Sequence, residues 1–504
     1  MDFAPPPGLL FPSAVSSLQA DRGAIRSQLR DTYNRLHSIS HDANFVHDQV
    51  APAFPDFPLV ANQRAGAWYV KASDEKAHAY FKSTDGHANE HNFNLRRANL
   101  ALLPLIKERQ GIIFVDSTRR GKRFPDALSK TIPLWCAVLN KARVTLLPPS
   151  PENSDASPEE WKEQGALFTS PQAVGRSEHS QIEVKIDGWA KDLASSAYDL
   201  SALTALRRPL RPFFVSPSST LSTPQPASSF PSYYPIICAS ASKLADEADG
   251  MERSHGFTYV QGSGDDHEAW SRGLTPPVFW KNAEEILAAE REEIDEVIAR
   301  ILLEQYTLDD SEKAGAARDG EAETFTAVRS TGLALAFAAD PASLPTPPSA
   351  DRPLVIVSTS KSAPNAADTV DPAASQLHLL AKPGKAGYVS FFSPAPESGL
   401  SIALAKATAR LRNGVEVRIA VARNEEGSQS EANDLGVAVA LILLVRLFDA
   451  EAKLLPAELP APTASKDLIR SRLQWILEAF PTVNPSRASL NKVNELLMSR
   501  GGRR

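Results

Sequence analysis

The sequence predicts an α/β protein, and three observations indicate this class. Short runs rich in β-branched residues, at 111–115 and 354–358, have the length and composition of buried strands. An amphipathic stretch at 283–306 repeats apolar residues at helical spacing. In the last third of the chain strands alternate with helices, as in a parallel sheet with helical crossovers. The amino-terminal part is expected to carry α+β elements as well.

The composition is typical of an intracellular globular protein. The chain has 504 residues with a hydrophobic fraction of 42%, which is enough for more than one core. Its net charge of -6 excludes a global basic field, so any RNA affinity must come from local patches. The two cysteines, Cys136 and Cys238, exclude a disulfide scaffold and fit a reducing compartment. The longest apolar run, 435–445, is too short to span a bilayer, and no secretory signal is visible. A cytoplasmic protein without a membrane segment is therefore expected.

Proline clusters predict the domain organisation. Residues 1–340 are expected to form an amino-terminal catalytic domain, with a Ser/Pro-rich surface loop at 216–232 whose composition is typical of disorder. A proline-rich linker at 341–353 follows a segment interpreted as helical. The carboxy-terminal domain is then 354–504. Its predicted elements are strands at 355–357 and 416–421 and helices at 400–411 and 435–448.

The strongest candidate site follows the strand at 111–115. Ligands bind at the carboxyl ends of strands in α/β sheets, and hydroxyls, backbone N–H groups and cations together suit a phosphate or pyrophosphate. The loop lacks the first glycine of a Walker A motif, and a solvated basic loop is the alternative. Residues 91–130 contain nine basic and three acidic residues, so the region could hold RNA backbone, a phosphorylated donor, or both. The residues concerned are Asp116, Ser117, Thr118, Arg119, Arg120, Gly121, Lys122 and Arg123, with Arg96 and Arg97 before them.

A polar turn after aromatic residues is the second candidate. Lys82, Ser83 and Thr84 offer phosphate contacts, and Asp85 and His87 offer acid–base chemistry. An ordinary Asp-Gly turn is the alternative interpretation.

The third candidate is an acidic segment after the apparent strand at 256–260. A Gly-Ser-Gly bend is followed by Asp265, Asp266 and Glu268. Three carboxylates within four residues call for a cation, and Mg²⁺ is the natural one. The alternative is a helix amino terminus whose dipole the acids favour.

The carboxy-terminal domain has the strand–loop–helix layout of a dual-specificity phosphatase at 416–448. Because no cysteine follows Cys238, the nucleophilic thiolate is absent and hydrolysis by that chemistry is not expected. Near the end of the chain Lys466, Arg470 and Arg472 form either an RNA-facing stripe or a solvated helix face.

Several segments together resemble the fungal and plant initiator tRNA phosphoribosyltransferases. The strings are YNRLHSISHDANFV (33–46), PLVANQRAGAWYV (58–70), YFKSTDGH (80–87), FNLRRANL (93–100), GIIFVDSTRRGKRFPDALSKTIPLWCAVLN (111–140), YVQGSGDDHEAWSRGLTPPVFW (259–280) and FPTVNPSR (480–487). The resemblance implies transfer of a ribosyl phosphate from phosphoribosyl pyrophosphate to the 2′-OH of a T-stem adenosine in initiator tRNA. It also implies a phosphatase-like carboxy-terminal domain, from which the acidic loop at 424–434 departs.

The implied reaction assigns roles to these residues. A 2′-OH attacks the anomeric carbon as pyrophosphate leaves, so three features would help: a cationic cradle for pyrophosphate, a divalent cation on it, and a carboxylate near the attacking hydroxyl. We expect Asp265, Asp266, Asp85 and His87 to be catalytic, with Asp265, Asp266 and Glu268 as metal ligands; which carboxylate is the base stays open. Donor phosphates are expected at 82–84 and 116–122, and tRNA at the arginines and at Lys466. A non-catalytic tRNA-binding protein is the competing hypothesis.

Overall fold

The computed structural model describes residues 31–63, 65–71, 75–87, 90–119, 121–245, 251–253, 256–316, 325–339, 354–360, 376–422, 429–459 and 462–498. These residues divide into two compact units. The first runs to residue 308 without 196–199, and the second consists of 196–199 together with the chain from 309 onwards.

The first unit is built on a five-stranded parallel sheet. Its strands are β1 (Leu59–Asn62), β2 (Glu75–Ala79), β3 (Ile112–Asp116), β4 (Leu210–Val215) and β5 (Tyr234–Ser240). They lie in the order β2-β1-β3-β5-β4. Every residue of β3 and β5 is buried, since both faces of a parallel sheet are covered. The strand predicted at 111–115 is confirmed.

Helices cover this sheet. The apolar helix after the 116–123 loop is buried along most of its length, and it carries Cys136, whose free thiol is buried like that of Cys238. The helices are α1 (Thr32–Asn44), α2 (Leu102–Arg109), α3 (Ile132–Leu146), α4 (Pro158–Gln164), α5 (Arg176–Glu183), α6 (Ile186–Ala194), α7 (Ser201–Thr204), α8 (Pro276–Lys281), α9 (Ala283–Ala288) and α10 (Ile294–Ala316). Short 3₁₀ turns occur at Gly66–Tyr69, Ser83–Gly86, Leu95–Arg97, Ala227–Ser229 and His267–Ala269.

The helix predicted at 283–306 is broken in two. Between α9 and α10 the chain turns, and Arg291 donates hydrogen bonds to Asp31 at 2.6 Å and to Asn34 at 2.8 Å. This anchor to the start of α1 is a tertiary contact that periodicity does not reveal.

The apparent strand at 256–260 does not join the main sheet. It forms β7 (Thr258–Val260), which pairs antiparallel with β6 (Met251–Arg253). Side chains of α1 satisfy its backbone instead: Thr258 N donates to Asn34 and Val260 N donates to Ser38. Contacts with α1 therefore position the acidic segment after β7, and no strand of the parallel sheet leads into it.

The Ser/Pro-rich loop at 216–232 connects β4 to β5. It is described throughout, and Leu221, Ala227 and Phe230 pack against the core, with Phe230 buried. The composition suggested disorder, but the structure shows an ordered loop because these apolar side chains anchor it to the core.

The second unit has its own five-stranded sheet. Its strands are β8 (Thr326–Ala327), β9 (Leu333–Ala339), β10 (Val355–Thr359), β11 (Leu377–Ala381) and β12 (Val417–Ala422). The order is β11-β10-β12-β9-β8, with only β8 antiparallel to its neighbour within the described residues.

The predicted domain boundary is wrong. The segment before the linker was interpreted as helical, yet β9 pairs with β12 and so belongs to the second unit. Its alanines and leucines favour helix locally, and burial in the sheet overrides that preference. The proline-rich linker at 341–353 lies outside the described residues.

The helices of the second unit are α11 (Gly384–Phe391), α12 (Gly399–Arg412), α13 (Gln429–Leu447), α14 (Lys466–Ala479) and α15 (Arg487–Met498). The helices predicted at 400–411 and 435–448 are confirmed, and α13 is buried on nearly every side. Residues 424–428 of the acidic loop that departs from the phosphatase pattern lie outside the described residues, whereas 429–434 form the start of α13. No helix in the described ranges is long and apolar enough to cross a membrane.

One predicted RNA contact is a core residue. Lys466 and Arg470 of α14 are exposed, and Arg470 pairs with Asp467 at 2.9 Å. Arg472 is only 3% exposed and donates to the carbonyls of Phe448 and Asp449. Two residues along a helix turn the side chain by about 200°, so Arg472 faces away from Arg470 and into the core.

Candidate active site

A cleft of about 490 Å³ opens at the carboxyl edge of the first sheet. It lies where the strand order reverses between β1 and β3, the position at which open α/β sheets bind their ligands. Eleven predicted residues line it: Lys82, Ser83, Thr84, His87, Asp116, Ser117, Thr118, Arg119, Lys122, Asp265 and Asp266. The structure thus brings together the three polar segments that the sequence analysis selected separately.

Asn62, at the end of β1, ties three strand ends together. Its amide donates to Asp116 Oδ2 at 2.8 Å and to the carbonyl of Phe81 at 3.0 Å, and it accepts from the Phe81 N–H at 2.9 Å. Sequence analysis did not select Asn62, although a polar residue closing an apolar strand was the available signal. This network holds Asp116 in a single orientation at the cleft floor.

Asp116 is a buried acid that titrates near neutrality. Burial raises the pKa of its carboxyl to about 7; the hydrogen bond from Asn62 opposes the shift, and the charge of Asp265 adds to it. A positive charge close to a carboxyl favours its ionised form, so a cation that enters the cleft would lower the pKa of Asp116.

Replacing Asp116 by asparagine is expected to change how stability depends on pH. The folded protein binds this proton more tightly than the unfolded chain, whose Asp pKa is about 4. The parent therefore loses stability as the pH rises from about 4 to about 7, and the variant does not. Between pH 5 and pH 8 the free energy of unfolding should shift in favour of the variant by on the order of 2–3 kcal/mol. Chemical denaturation of both proteins at the two pH values measures this, and parallel pH curves would contradict the assignment.

The basic and acidic loops meet across the cleft. Arg119 donates to Asp266 at 2.7 Å and to Asp265 at 3.3 Å, and its side chain is 64% exposed. Burial raises the pKa of Asp265; Arg119 opposes the shift and the charge of Asp266 adds to it. Arg35 of α1 donates to the carbonyls of Ser263 and Asp265, which fixes the acidic loop from behind.

The acidic segment does lie at the amino terminus of a short helical turn, as the alternative interpretation expected, but Asp266 does not cap that turn through its side chain. Asp266 occupies the N-cap position of the His267–Ala269 turn, but its side chain makes no capping hydrogen bond. Both aspartates accept hydrogen bonds from Arg119 instead, and all three side chains line the cleft.

Three glycines let the loops approach at backbone distance. A Cβ on Gly66 would lie 2.2 Å from the Val115 carbonyl oxygen, and one on Gly262 would lie 2.6 Å from that of Thr118. The N–H of Gly264 donates to the hydroxyl of Tyr69 at 2.9 Å. Gly262 packs against the loop at 116–119, and Gly264 packs against residues 65–69. Neither position leaves room for a side chain.

A second charged group also lines the cleft. Asp126, which sequence analysis missed, pairs with Lys122 at 2.9 Å and with Lys130 at 3.0 Å, and His87 lies 3.6 Å away. Burial pushes the pKa of Asp126 up, but the hydrogen bonds and charges of the two lysines outweigh it and hold the pKa below its usual range.

Several predicted residues lie outside the cleft. Asp85 accepts from Arg97 through both carboxylate oxygens at 2.7–3.1 Å, and both side chains are largely buried. The pair therefore supports the fold: Asp85 is not available as a catalytic acid, and Arg97 is not a solvent-facing RNA contact. The others outside the lining are Arg96, Gly121, Arg123 and Glu268, while Arg120 is outside the described residues.

The predicted three-carboxylate metal site is not assembled. Within the described residues no three His, Cys, Asp or Glu side chains are grouped to hold a metal ion. The side chain of Glu268 is 67% exposed and does not line the cleft. Asp265 and Asp266 remain together at the cleft edge, and Mg²⁺ often binds one or two carboxylates plus substrate phosphates. The Ser117 hydroxyl lies in the same wall and is buried beside the hydroxyl of Tyr69.

The parallel sheet and the charged cleft at its carboxyl edge define an α/β protein with a polar candidate site at that edge. Models of two domains match the sequence: the Rit1 N-terminal domain over residues 25–303 and the Rit1 DUSP-like domain over residues 376–497. The chain therefore belongs to the Rit1 family, and the resemblance found in the sequence is confirmed at the level of the family.

Two relatives agree with this membership. A Schizosaccharomyces pombe protein described as uncharacterized is 36% identical over 480 residues, covering 94% of this chain and 96% of the relative. A tRNA A64-2′-O-ribosylphosphate transferase from Saccharomyces cerevisiae is 41% identical over 281 residues, which cover 52% of each chain. No solved structure matches the sequence.

Proposed function

We propose that the protein transfers a ribosyl phosphate from phosphoribosyl pyrophosphate to the 2′-OH of adenosine 64 in initiator tRNA. The observation that carries the proposal is the cleft in which Arg119 meets Asp265 and Asp266 beside the end of β3. The name of the Saccharomyces cerevisiae relative supports the reaction class. A cytoplasmic role in marking the initiator tRNA against use in elongation belongs to the same proposal.

The basic side of the cleft is suited to the donor's pyrophosphate. Arg119 and Lys122 are cations on the cleft wall, and Ser117 and Thr118 offer hydroxyls in the same lining. Charge-assisted hydrogen bonds of this kind are about twice as strong as neutral ones. Lys82, Ser83 and Thr84 line the same cleft and can hold the donor's other phosphate.

For the acidic side of the cleft we propose Mg²⁺. Asp265 and Asp266 would hold it together with the pyrophosphate oxygens, and Asp116 lines the same cleft. When bound, the ion would neutralise the leaving group and polarise the bond that breaks. Arg119 donates to both aspartates and is largely exposed, so its side chain can turn to the phosphates.

In this reaction the protein positions the two substrates and stabilises the charge that develops on the leaving group. The 2′-oxygen bonds to the anomeric carbon of the donor while the bond from that carbon to the pyrophosphate oxygen breaks. The electron pair leaves with pyrophosphate, and the hydroxyl proton passes to a base in the cleft wall. The cations on the wall stabilise the charge that develops on the leaving group.

For the second unit we propose tRNA binding without hydrolysis. Its candidate contacts are the exposed Lys466 and Arg470, since Arg472 belongs to the core.

Replacing Arg119 by alanine is expected to raise the donor concentration needed for half-maximal transfer about ten- to hundred-fold, because a charge-assisted contact contributes roughly 1.5–3 kcal/mol. The matched control is Arg272→Ala, which removes an equally exposed arginine paired with Asp295 outside the cleft. Donor titrations of the transfer rate compare the two variants. Equal donor dependence in both would contradict the placement of the pyrophosphate.

The function itself is tested with purified full-length protein, donor, Mg²⁺ and either initiator or elongator tRNA. Mass spectrometry of nuclease fragments should find one added ribosyl phosphate on the T-stem fragment of initiator tRNA. Binding of tRNA without any transfer would instead favour a non-catalytic tRNA-binding protein.

A further inference from the structure

The carboxylate of Asp126 is shared among three basic side chains, two of which line the cleft. Its Oδ1 accepts from Lys130 at 3.0 Å and its Oδ2 accepts from Lys122 at 2.9 Å. His87 Nε2 lies 3.6 Å from the same Oδ2, just beyond hydrogen-bond distance. Lys122 and His87 Nε2 therefore both lie against Oδ2, and only Lys122 is within hydrogen-bond distance of it.

The inner side of this group is fixed. Lys130 is 8% exposed and also binds Glu178 at 3.0 Å, and Glu178 lies 3.0 Å from His91 Nε2. Burial would lower the pKa of Lys130, but the two carboxylates raise it above its ordinary value. Lys130 thus stays charged and holds Asp126 in place whether or not Lys122 remains there.

The outer side can rearrange. The side chains of Lys122 and His87 are 55% and 46% exposed, and both face the cleft. A donor phosphate is a competing anion for Lys122, whose long side chain turns easily. Once Lys122 leaves Oδ2, a shift of a few tenths of an ångström brings His87 Nε2 into hydrogen-bond distance.

We propose that Asp126 is a positioning residue that couples donor binding to activation of His87 as the general base. This inference rests on the proposed transfer function. With Nε2–H held by Asp126, the other ring nitrogen, Nδ1, is left unprotonated and can accept the proton of the 2′-OH. The oxygen then bonds to the anomeric carbon as the pyrophosphate departs with the electron pair of the broken bond.

The test uses full-length protein and four forms: the parent, Asp126→Asn, His87→Ala and the double variant. Donor affinity is measured by calorimetry with phosphoribosyl pyrophosphate and Mg²⁺, and kcat at saturating donor and initiator tRNA. Asp126→Asn should bind donor as tightly as the parent or more tightly, since Lys122 has lost its competing partner. Its kcat should fall roughly a hundred-fold, as expected for loss of a general base.

The coupling makes two further predictions. The double variant should be no slower than His87→Ala, because residues that act as a unit are not additive. Added imidazole should restore part of the rate of His87→Ala, an effect that a purely structural role does not produce. The control is Asp187→Asn, which removes a carboxylate that pairs with Lys141 outside the cleft and should leave kcat within about two-fold.

An Asp126→Asn variant with normal kcat, or losses that multiply in the double variant, overturns the inference while the parent still transfers. If Asp126→Asn does not fold, His87→Ala decides: an unchanged rate overturns the inference, and a loss rescued by imidazole supports it. A parent without transfer activity overturns the proposed function and this inference with it.

Discussion

Replacing Asp265 by asparagine should lower the rate of ribosyl phosphate transfer on the order of a hundred-fold or more, the size of effect seen when a preorganised charge is removed from an active site. The carboxylate lines the cleft, pairs with Arg119 and has its pKa raised by burial. Asparagine keeps the size of the side chain and removes its charge. The melting temperature should hardly change or should rise, because the substitution removes a largely buried charge and its repulsion with Asp266.

The matched control is Asp295→Asn, an aspartate that pairs with Arg272 outside the cleft. It should retain the parent's transfer rate. Measuring transfer and melting temperature on both variants separates catalysis from folding. Full activity of Asp265→Asn with a lowered melting temperature would make the acidic loop structural.

Replacing Gly262 by alanine should damage both stability and transfer. Gly262 has φ +71°, and an alanine Cβ would lie 2.6 Å from the Thr118 oxygen and 2.9 Å from the Arg119 nitrogen. The left-handed conformation alone costs about 1–2 kcal/mol. Relieving the contact must also displace the loop that carries Arg119, so transfer should fall at least about ten-fold, as when catalytic groups are misplaced.

Gly256→Ala separates the two effects. Gly256 has φ +84°, and a Cβ there would meet nothing within 4 Å. This variant should show the same conformational cost in a denaturation curve and keep the parent's transfer rate. Equal loss of transfer in both variants would mean that the contact between the two loops does not position the site.

The local part of the fold could be predicted from the sequence. The β-branched run before Asp116 identified the central strand, and the hydroxyls, glycine and cations that follow it identified the wall of the cleft. These features depend on residues that are adjacent in sequence. The loop at 262–266 was also found by its local glycine and aspartate pattern, although the strand before it lies outside the main sheet.

The errors arise where a tertiary partner decides the role of a residue. Asp85 was expected to be catalytic because nothing in its own segment shows that Arg97 occupies both of its oxygens. Asp126 was missed because it lies beyond the obvious basic loop, on the turn before α3. Arg472 was grouped with the RNA-facing residues of its helix because helical spacing does not show which face of the helix is buried in the core.

The boundary between the units shows the same limit on a larger scale. A proline-rich segment is a good signal of a break in regular structure, and 341–353 was chosen for that reason. The strand β9 before it is completed only by pairing with β12, nearly eighty residues later in the sequence. Long-range strand pairing of this kind leaves no local pattern for sequence analysis to use.

The most direct test of the account is a crystal structure of the protein with phosphoribosyl pyrophosphate and Mg²⁺ bound. We expect the pyrophosphate within hydrogen-bond distance of Arg119 and the Ser117 hydroxyl, with the metal between the phosphates and Asp265. Lys122 should have left Asp126 for a phosphate oxygen. A donor bound away from the carboxyl edge of β3, with Arg119 still bridging Asp265 and Asp266, would contradict the account.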